Sequence, residues 1–314
     1  MIFNKKDRRT ISGAGSVGIG LYGKHPCAGD FMRLNASGPE VLQLDEWLSQ
    51  AMDAGTRILP DWDATFPTIS QLSFLYHNPD DRGSACSLFG VMVASRDRSG
   101  RKFPLILFSY MDFGTAANCY PYLPYDAFLQ NTSSLLARFM ENQSISRDQL
   151  FAEAQRLRPP DQQSLTAARQ AHTQYLASTS WMAAFATMFG IAAPMQQGKA
   201  VGTMRDTLGG LGQGPFPRWG IRCPLGMDPA GNAGLWLAML YQQLQNQIVP
   251  IMFWTPRQLL LYFRKSSPKA LTALISPEWQ DDHLVDLSTS TKGEEHANLP
   301  GIDQPLQAIL ETRP

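Results

Sequence analysis

Apolar residues recur along this chain with two different periods, and the periods divide it into elements. From Val17 the rhythm is short and strand-like, ending in the tight segment Tyr22-Gly23-Lys24-His25-Pro26. Residues 39–58 predict a helix. Pro39 suits its first turn, and Val41, Leu42, Leu44, Trp47, Leu48, Ala51 and Met52 recur at three- and four-residue spacing, the mark of one buried face. Three strands are predicted over 69–76, 84–95 and 103–111. The links between them, Asn78-Pro79-Asp80-Asp81-Arg82-Gly83 and Arg96-Asp97-Arg98-Ser99-Gly100-Arg101, have turn composition. Connections this short predict antiparallel pairing, because parallel strands need a long crossover.

After Pro121 the period turns helical, over 125–140, 147–157 and 164–190, with Pro159-Pro160 breaking the region at a plausible domain boundary. Residues 198–214 are glycine rich and nearly free of apolar clusters, which predicts a loop. Further on, the pattern gives a strand at 219–224, a helix at 233–246, a hairpin of 249–254 and 258–264 around Thr255-Pro256, a short helix at 269–275 and a last strand at 283–287. A helix set between antiparallel strands, used twice, predicts an α+β fold with a mainly antiparallel sheet flanked by helices. The expected organisation is a disordered leader at 1–16 and an N-terminal domain at 17–140. A helical connector with a smaller α/β C-terminal domain follows at 141–287, then a polar tail at 288–314.

The 314 residues carry 27 basic and 27 acidic side chains, a formal net charge of zero. Such balance lacks the basic excess of a nucleic-acid binder and the polybasic anchor of a membrane-surface protein. The cysteines Cys27, Cys86, Cys119 and Cys223 form no Cys-x-x-Cys pair, which suits reduced thiols in a cytoplasm. The basic first ten residues run into a glycine- and serine-rich stretch, unlike an export signal, and no apolar run reaches the length of a membrane span. A soluble, cytoplasmic protein without membrane insertion is expected.

Two constellations hold candidate chemistry. In Tyr22-Gly23-Lys24-His25-Pro26-Cys27-Ala28-Gly29-Asp30-Phe31, Lys24 offers an anion contact and His25 a group titrating near neutral pH. The same residues also read as a structural turn, with Gly23 and Gly29 supplying special dihedrals and Asp30 capping the backbone. In Ser95-Arg96-Asp97-Arg98-Ser99-Gly100-Arg101-Lys102-Phe103-Pro104, cations gathered around one acid suit phosphate or an acidic partner, or else form a solvated turn. Catalytic patterns are thin. The five histidines show no metal-ligand spacing, and neither a P-loop nor a Gly-x-Ser-x-Gly elbow occurs. Gly210-Leu211-Gly212-Gln213-Gly214 does not complete a dinucleotide fingerprint, and Asp281, Asp282 and His283 read as a polar loop. No catalytic residue, metal or cofactor is assigned. The competing enzymatic reading is a hydrolase or transferase with Lys24, His25 and Asp30 in one cleft. Trp181, Trp219, Trp236, Trp254 and Trp279 are expected mostly in the core, with one or two in a partner-binding patch.

Three motifs in order, Tyr22-Gly23-Lys24-x-Pro26-x-x-Gly29-Asp30-Phe31, Leu44-Asp45-x-Trp47-Leu48 and Ser95-x-Asp97-Arg98-x-Gly100-Arg101-x-Phe103-Pro104-Leu105, resemble the TagF (ImpM) family of bacterial type VI secretion. The resemblance covers about residues 17–115 and continues more loosely through Met252-Phe253-Trp254-Thr255 and 268–279. His25, Met32 and Leu44 depart from the family pattern. The resemblance implies a longin- or profilin-like N-terminal domain. It also implies a cytoplasmic, non-enzymatic post-translational regulator, a repressor of type VI secretion that binds the forkhead-associated (Fha) scaffold protein. Carried over position by position, Gly23, Lys24, Pro26, Gly29, Asp30, Asp97, Arg98, Gly100 and Arg101 are the expected partner-binding residues. Two alternatives stand beside this. One reads the chain as a structural or accessory subunit of the secretion apparatus. The other reads the motifs as structural, with an Asp30–Arg98 or Asp30–Arg101 ion pair tying the two loops together.

Overall fold

The computed structural model describes residues 17–69, 71–78, 86–142, 144–190, 220–244, 248–276, 278–279, 284–288 and 304–311. The first half supplies β1 (Val17–Gly23), β2 (Met32–Leu34), helix α1 (Pro39–Ile58), the short helix α2 (Trp62–Thr65), β3 (Leu72–Tyr76), β4 (Cys86–Val93) and β5 (Leu105–Asp112). The second supplies β6 (Gly220–Pro224), β7 (Ile251–Trp254), β8 (Gln258–Tyr262) and β9 (Leu284–Asp286). Together they make one nine-stranded sheet in the order β2-β1-β5-β4-β3-β7-β8-β6-β9. Every neighbouring pair is antiparallel except β6 with β9. The halves join where β3 pairs with β7, Ser73 opposite Trp254 and Phe74 opposite Phe253. The sheet therefore runs on through both segments expected as separate domains.

Helices cover both faces, so successive residues of the central strands are buried alternately on two sides. On β5, Leu105 and Leu107 enter the core beneath α4 (Ala127–Glu141), α5 (Arg147–Gln155), α6 (Gln162–Ser178), α7 (Trp181–Phe189) and α8 (Pro229–Leu244). Ile106 and Phe108 enter the core beneath α1, α2 and α9 (Ala270–Ile275). Two-sided burial explains why β4 reads as a nearly unbroken apolar run, where a half-solvated strand would alternate. Gly20 and Gly90 lie opposite Phe108 on the two flanking strands. A Cβ at Gly20 would stand 2.3 Å from the Phe108 ring and one at Gly90 2.2 Å from Leu107 O, so both positions are reserved for close approach.

Some elements differ from the pattern reading. The single helix expected over 164–190 is two, because Ser180 starts a new one, its Oγ accepting from Ala183 N at 3.2 Å. Helix α3 (Phe113–Cys119) and the 3-10 turn Tyr120–Tyr125 are too short to show a period. The expected polar tail contains helix α10 (Leu306–Glu311), anchored by fully buried Leu306. The expected leader and the glycine-rich 198–214 segment lie outside the described residues. Among the described residues, no helix is long and apolar enough to cross a membrane.

Three buried histidines bind main-chain carbonyls far away in sequence. His25 Nε2 donates to Phe139 O at 2.8 Å, His172 Nε2 to Gly234 O at 3.2 Å, and His77 bonds the Val249 main chain. Burial lowers all three below the ordinary imidazole value, His77 to about 4, and the carbonyl acceptors only partly offset it. The unfolded chain would take up protons below about pH 6.5 that the folded chain refuses, so stability falls as pH drops through that value. Urea unfolding between pH 8 and pH 5.5 is expected to show a midpoint that decreases with acidity, less steeply in His77→Gln. A flat or rising midpoint contradicts this.

Candidate functional site

The first two strand ends bring the motif loops together. At the end of β1, Gly23 adopts φ 125, and a Cβ there would stand 2.0 Å from Pro104 O, a space that no other residue fits. The chain then passes beside the β4–β5 connection, Lys24 N donating to Pro104 O at 3.4 Å. Farther along, Arg98 N donates to Ala28 O at 2.9 Å, the Arg98 guanidinium donates to Cys27 O, and Arg101 Nη2 donates to Gly29 O at 2.7 Å. Two loops some 70 residues apart in sequence thus share one hydrogen-bonded seam.

Asp97 stands at the centre of that seam. Its Oδ1 accepts from Ser99 N at 3.0 Å, Ser99 Oγ at 2.7 Å and Arg101 N at 3.0 Å. Its Oδ2 faces Lys24 Nζ at 3.1 Å and Arg101 Nε at 2.7 Å. The carboxylate is fully buried and the Lys24 side chain is 8% exposed. Burial alone would raise the Asp97 carboxyl. The hydrogen bonds from Ser99, Lys24 and Arg101 outweigh it and hold the group far below the usual carboxylate range. Gly100, at φ 87, closes the turn, with Gly100 N donating to Asp97 O at 2.9 Å. An aromatic trio encloses the pair: Phe31 stacks on Tyr22 with centroids 5.4 Å apart and meets Phe103 edge-on at 4.9 Å, and Lys24 Nζ lies 5.0 Å from the Phe31 centroid.

The structure sorts the expected residues. Lys24, Asp97 and Arg101 meet, and Arg98 reaches the first loop. Gly23 and Gly100 occupy left-handed backbone, whereas Gly29 does not and has open space where a Cβ would project. Pro26 forms a half-buried turn with Cys27. The ionic tie between the loops, expected from Asp30 to Arg98 or Arg101, runs instead from Asp97 to Lys24. Asp97 lies at the base of a tight turn whose amides point inward at it, while exposed Asp30 spends Oδ1 on its own neighbour, Phe31 N, at 2.8 Å. Lys24, His25 and Asp30 do not form one cleft. His25 is sealed beneath the loop, its Nδ1 accepting from Cys27 N at 3.2 Å and its other nitrogen on Phe139 O. Among the described residues no His, Cys, Asp and Glu group is placed to hold a metal ion. Two surface clefts lie elsewhere, one by Leu72, Arg257 and Ile275, the other by Asp112, Tyr122 and Arg169. Trp181, Trp236 and Trp254 are buried, Trp279 is half-buried beneath Lys269, and Trp219 lies outside the described residues. The partner of His25, a main-chain carbonyl on α4, carries no side-chain signal and was invisible to pattern reading.

Residues 20–157 match the family model of the TagF N-terminal domain, type VI secretion system-associated. The crystal structure of PA0076 from Pseudomonas aeruginosa PAO1 aligns with a TM-score of 0.45 at 18% identity, covering 84% of this chain and 96% of that one. A comparison with curated proteins finds no match.

Asp97→Asn is expected to cost about 3–5 kcal/mol at pH 7, because Lys24 remains buried without its carboxylate. The stabilisation from Asp97 is complete above the unfolded carboxyl value, about pH 4, and is lost as pH falls below it, so the variant should also have a shallower acid limb. Urea titrations at pH 7 and about pH 3 read both effects, and a loss at pH 7 under about 1 kcal/mol contradicts the assignment. The two glycines should separate as well. Gly23→Ala should lower the melting temperature by several degrees, whereas Gly29→Ala should stay within about 0.5 kcal/mol of wild type. The reverse order would be incompatible with this geometry.

Proposed function

We propose, from the match of residues 20–157 to the type VI secretion-associated TagF N-terminal domain, that this protein is a cytoplasmic, non-enzymatic post-translational regulator of type VI secretion. It acts as a repressor by docking the forkhead-associated scaffold of the secretion apparatus. The observation that carries this reading is the seam itself: the motif side chains hold one another and brace a protein surface. Arg98 and Arg101 are exposed yet anchored, each with a guanidinium hydrogen held by a main-chain carbonyl of the opposite loop. Anchored arginines suit protein recognition. They offer fork-shaped donors, they recur among the residues that dominate binding energy, and they lose little rotamer freedom on association. Motif residues therefore divide in role, with Gly23, Lys24, Asp97 and Gly100 building the surface and Arg98 and Arg101 presenting it.

The experiment is a pull-down of purified protein against the forkhead-associated scaffold encoded with it, comparing wild type with Arg98→Glu. Binding by the wild type, weakened about 30-fold or more in a variant that still melts cooperatively, is the expected result. Equal binding by both proteins, or none by folded wild type, contradicts the reading.

A further inference from the structure

The cationic surface extends past the sequence motifs onto α5. Beneath the first loop, His25 clamps the chain to Phe139 near the end of α4, and α5 begins shortly afterwards at Arg147. Helix α5 packs against β1, and its Phe151 joins Cys27 and Ala28 of the first loop against one core, while Arg98 and Arg147 both draw down the Cys27 thiol that burial pushes up. Arg98 itself holds Cys27 O and Arg101 holds Gly29 O, which places cations on the same short turn from two directions. Capping of the helix end does not account for Arg147. It is the first residue of α5, where a cation opposes the helix dipole, and the capping box of Ser146 and Gln149 closes the helix end without it. Its guanidinium lies over the Phe151 ring at 5.1 Å, which holds it at the surface in a defined position. Arg98, Arg101 and Arg147 are all exposed, whereas Asp97 is buried and paired with Lys24 and Arg101.

We propose that Arg98, Arg101 and Arg147 form one preorganised docking surface for an acidic segment, rich in Asp and Glu side chains, of the partner protein. The proposal rests on the docking reading above and supplies the chemistry of what docks. Positioned guanidiniums recognise carboxylates through charge-assisted, often bidentate hydrogen bonds, and an electropositive face steers an acidic segment toward it.

The test measures fluorescence anisotropy of labelled poly-L-glutamate with the full-length protein at low and high salt, using wild type, Arg98→Glu, Arg147→Glu and Arg57→Glu. Arg57 lies on α1, beneath the opposite face of the sheet, and serves as the charge control. Arg147→Glu should fold normally, since an acid suits a helix N-terminus. The expected result is salt-sensitive binding by wild type and the Arg57 variant, weakened about tenfold or more by either of the other changes. Absence of wild-type binding, an equal loss in Arg57→Glu, or wild-type affinity in Arg147→Glu overturns the proposal. So does capture of an otherwise uncharged phosphopeptide in place of poly-L-glutamate. The same variants are then measured against the forkhead-associated scaffold. Scaffold binding that Arg98→Glu abolishes and Arg147→Glu leaves unchanged overturns the acidic-segment surface and keeps the docking reading. Arginine-dependent poly-L-glutamate binding with no scaffold binding supports the surface and removes the scaffold as its partner.

Discussion

A carboxylate without exposed surface is expensive to keep charged, and the arrangement around Asp97 follows from that constraint. Each of its oxygens has several donors, supplied by Ser99, Arg101 and Lys24. To bring Lys24 there, β1 must end in a left-handed glycine pressed against Pro104, and to bring the amides there the hairpin must close through Gly100. Tyr22, Phe31 and Phe103 then shield the pair from water, which strengthens the attraction between its charges. Once these conditions are met, the outward-facing arginines have fixed neighbours.

The same economy of contacts joins the halves of the chain. Trp47 of α1 stacks on Phe253 of β7 with centroids 4.5 Å apart and donates from Nε1 to Ser267 O at 3.1 Å. A residue of the second motif is thus an anchor between halves and has no place on the docking face. At the far end of the sheet, buried Arg222 pairs with Asp286 at 3.0 Å and donates to Trp279 O, while Gln258 Nε2 donates to Ala273 O at 2.8 Å. Gln258 thus satisfies a carbonyl at the C-terminus of α9 that the helix itself leaves open.

Much of this was legible in the sequence. The helical face of α1 follows from Val41, Leu44, Trp47, Leu48 and Ala51, all buried, whereas Leu42, expected with them, is exposed and Met52 half-buried. Strands β3, β4 and β5 and the β7–β8 hairpin follow from apolar runs bounded by turn residues. Lys24, Asp97 and Arg101 enter through the family resemblance, among nine motif residues, and the resemblance does not say which of those residues pair. What local pattern does not carry is the choice between two carboxylates, Asp30 and Asp97, which the direction of the surrounding amides decides. The β3–β7 pairing joins strands some 180 residues apart, and nothing near either strand announces it. Arg147 was hidden for a similar reason, since it reads as one more solvated helix residue until α5 is placed beside the first loop.

The central claim is that the two motif loops are one unit, held by Asp97 and Lys24. Native-state hydrogen exchange tests it most directly, because the amides of Ala28, Arg98, Gly100 and Arg101 all donate within the seam or the turn that supports it. If the loops open together, these amides exchange with one common free energy and the same denaturant dependence. Rapid exchange at Ala28 beside strong protection at Gly100 and Arg101 would show two loops moving independently, and would contradict the account.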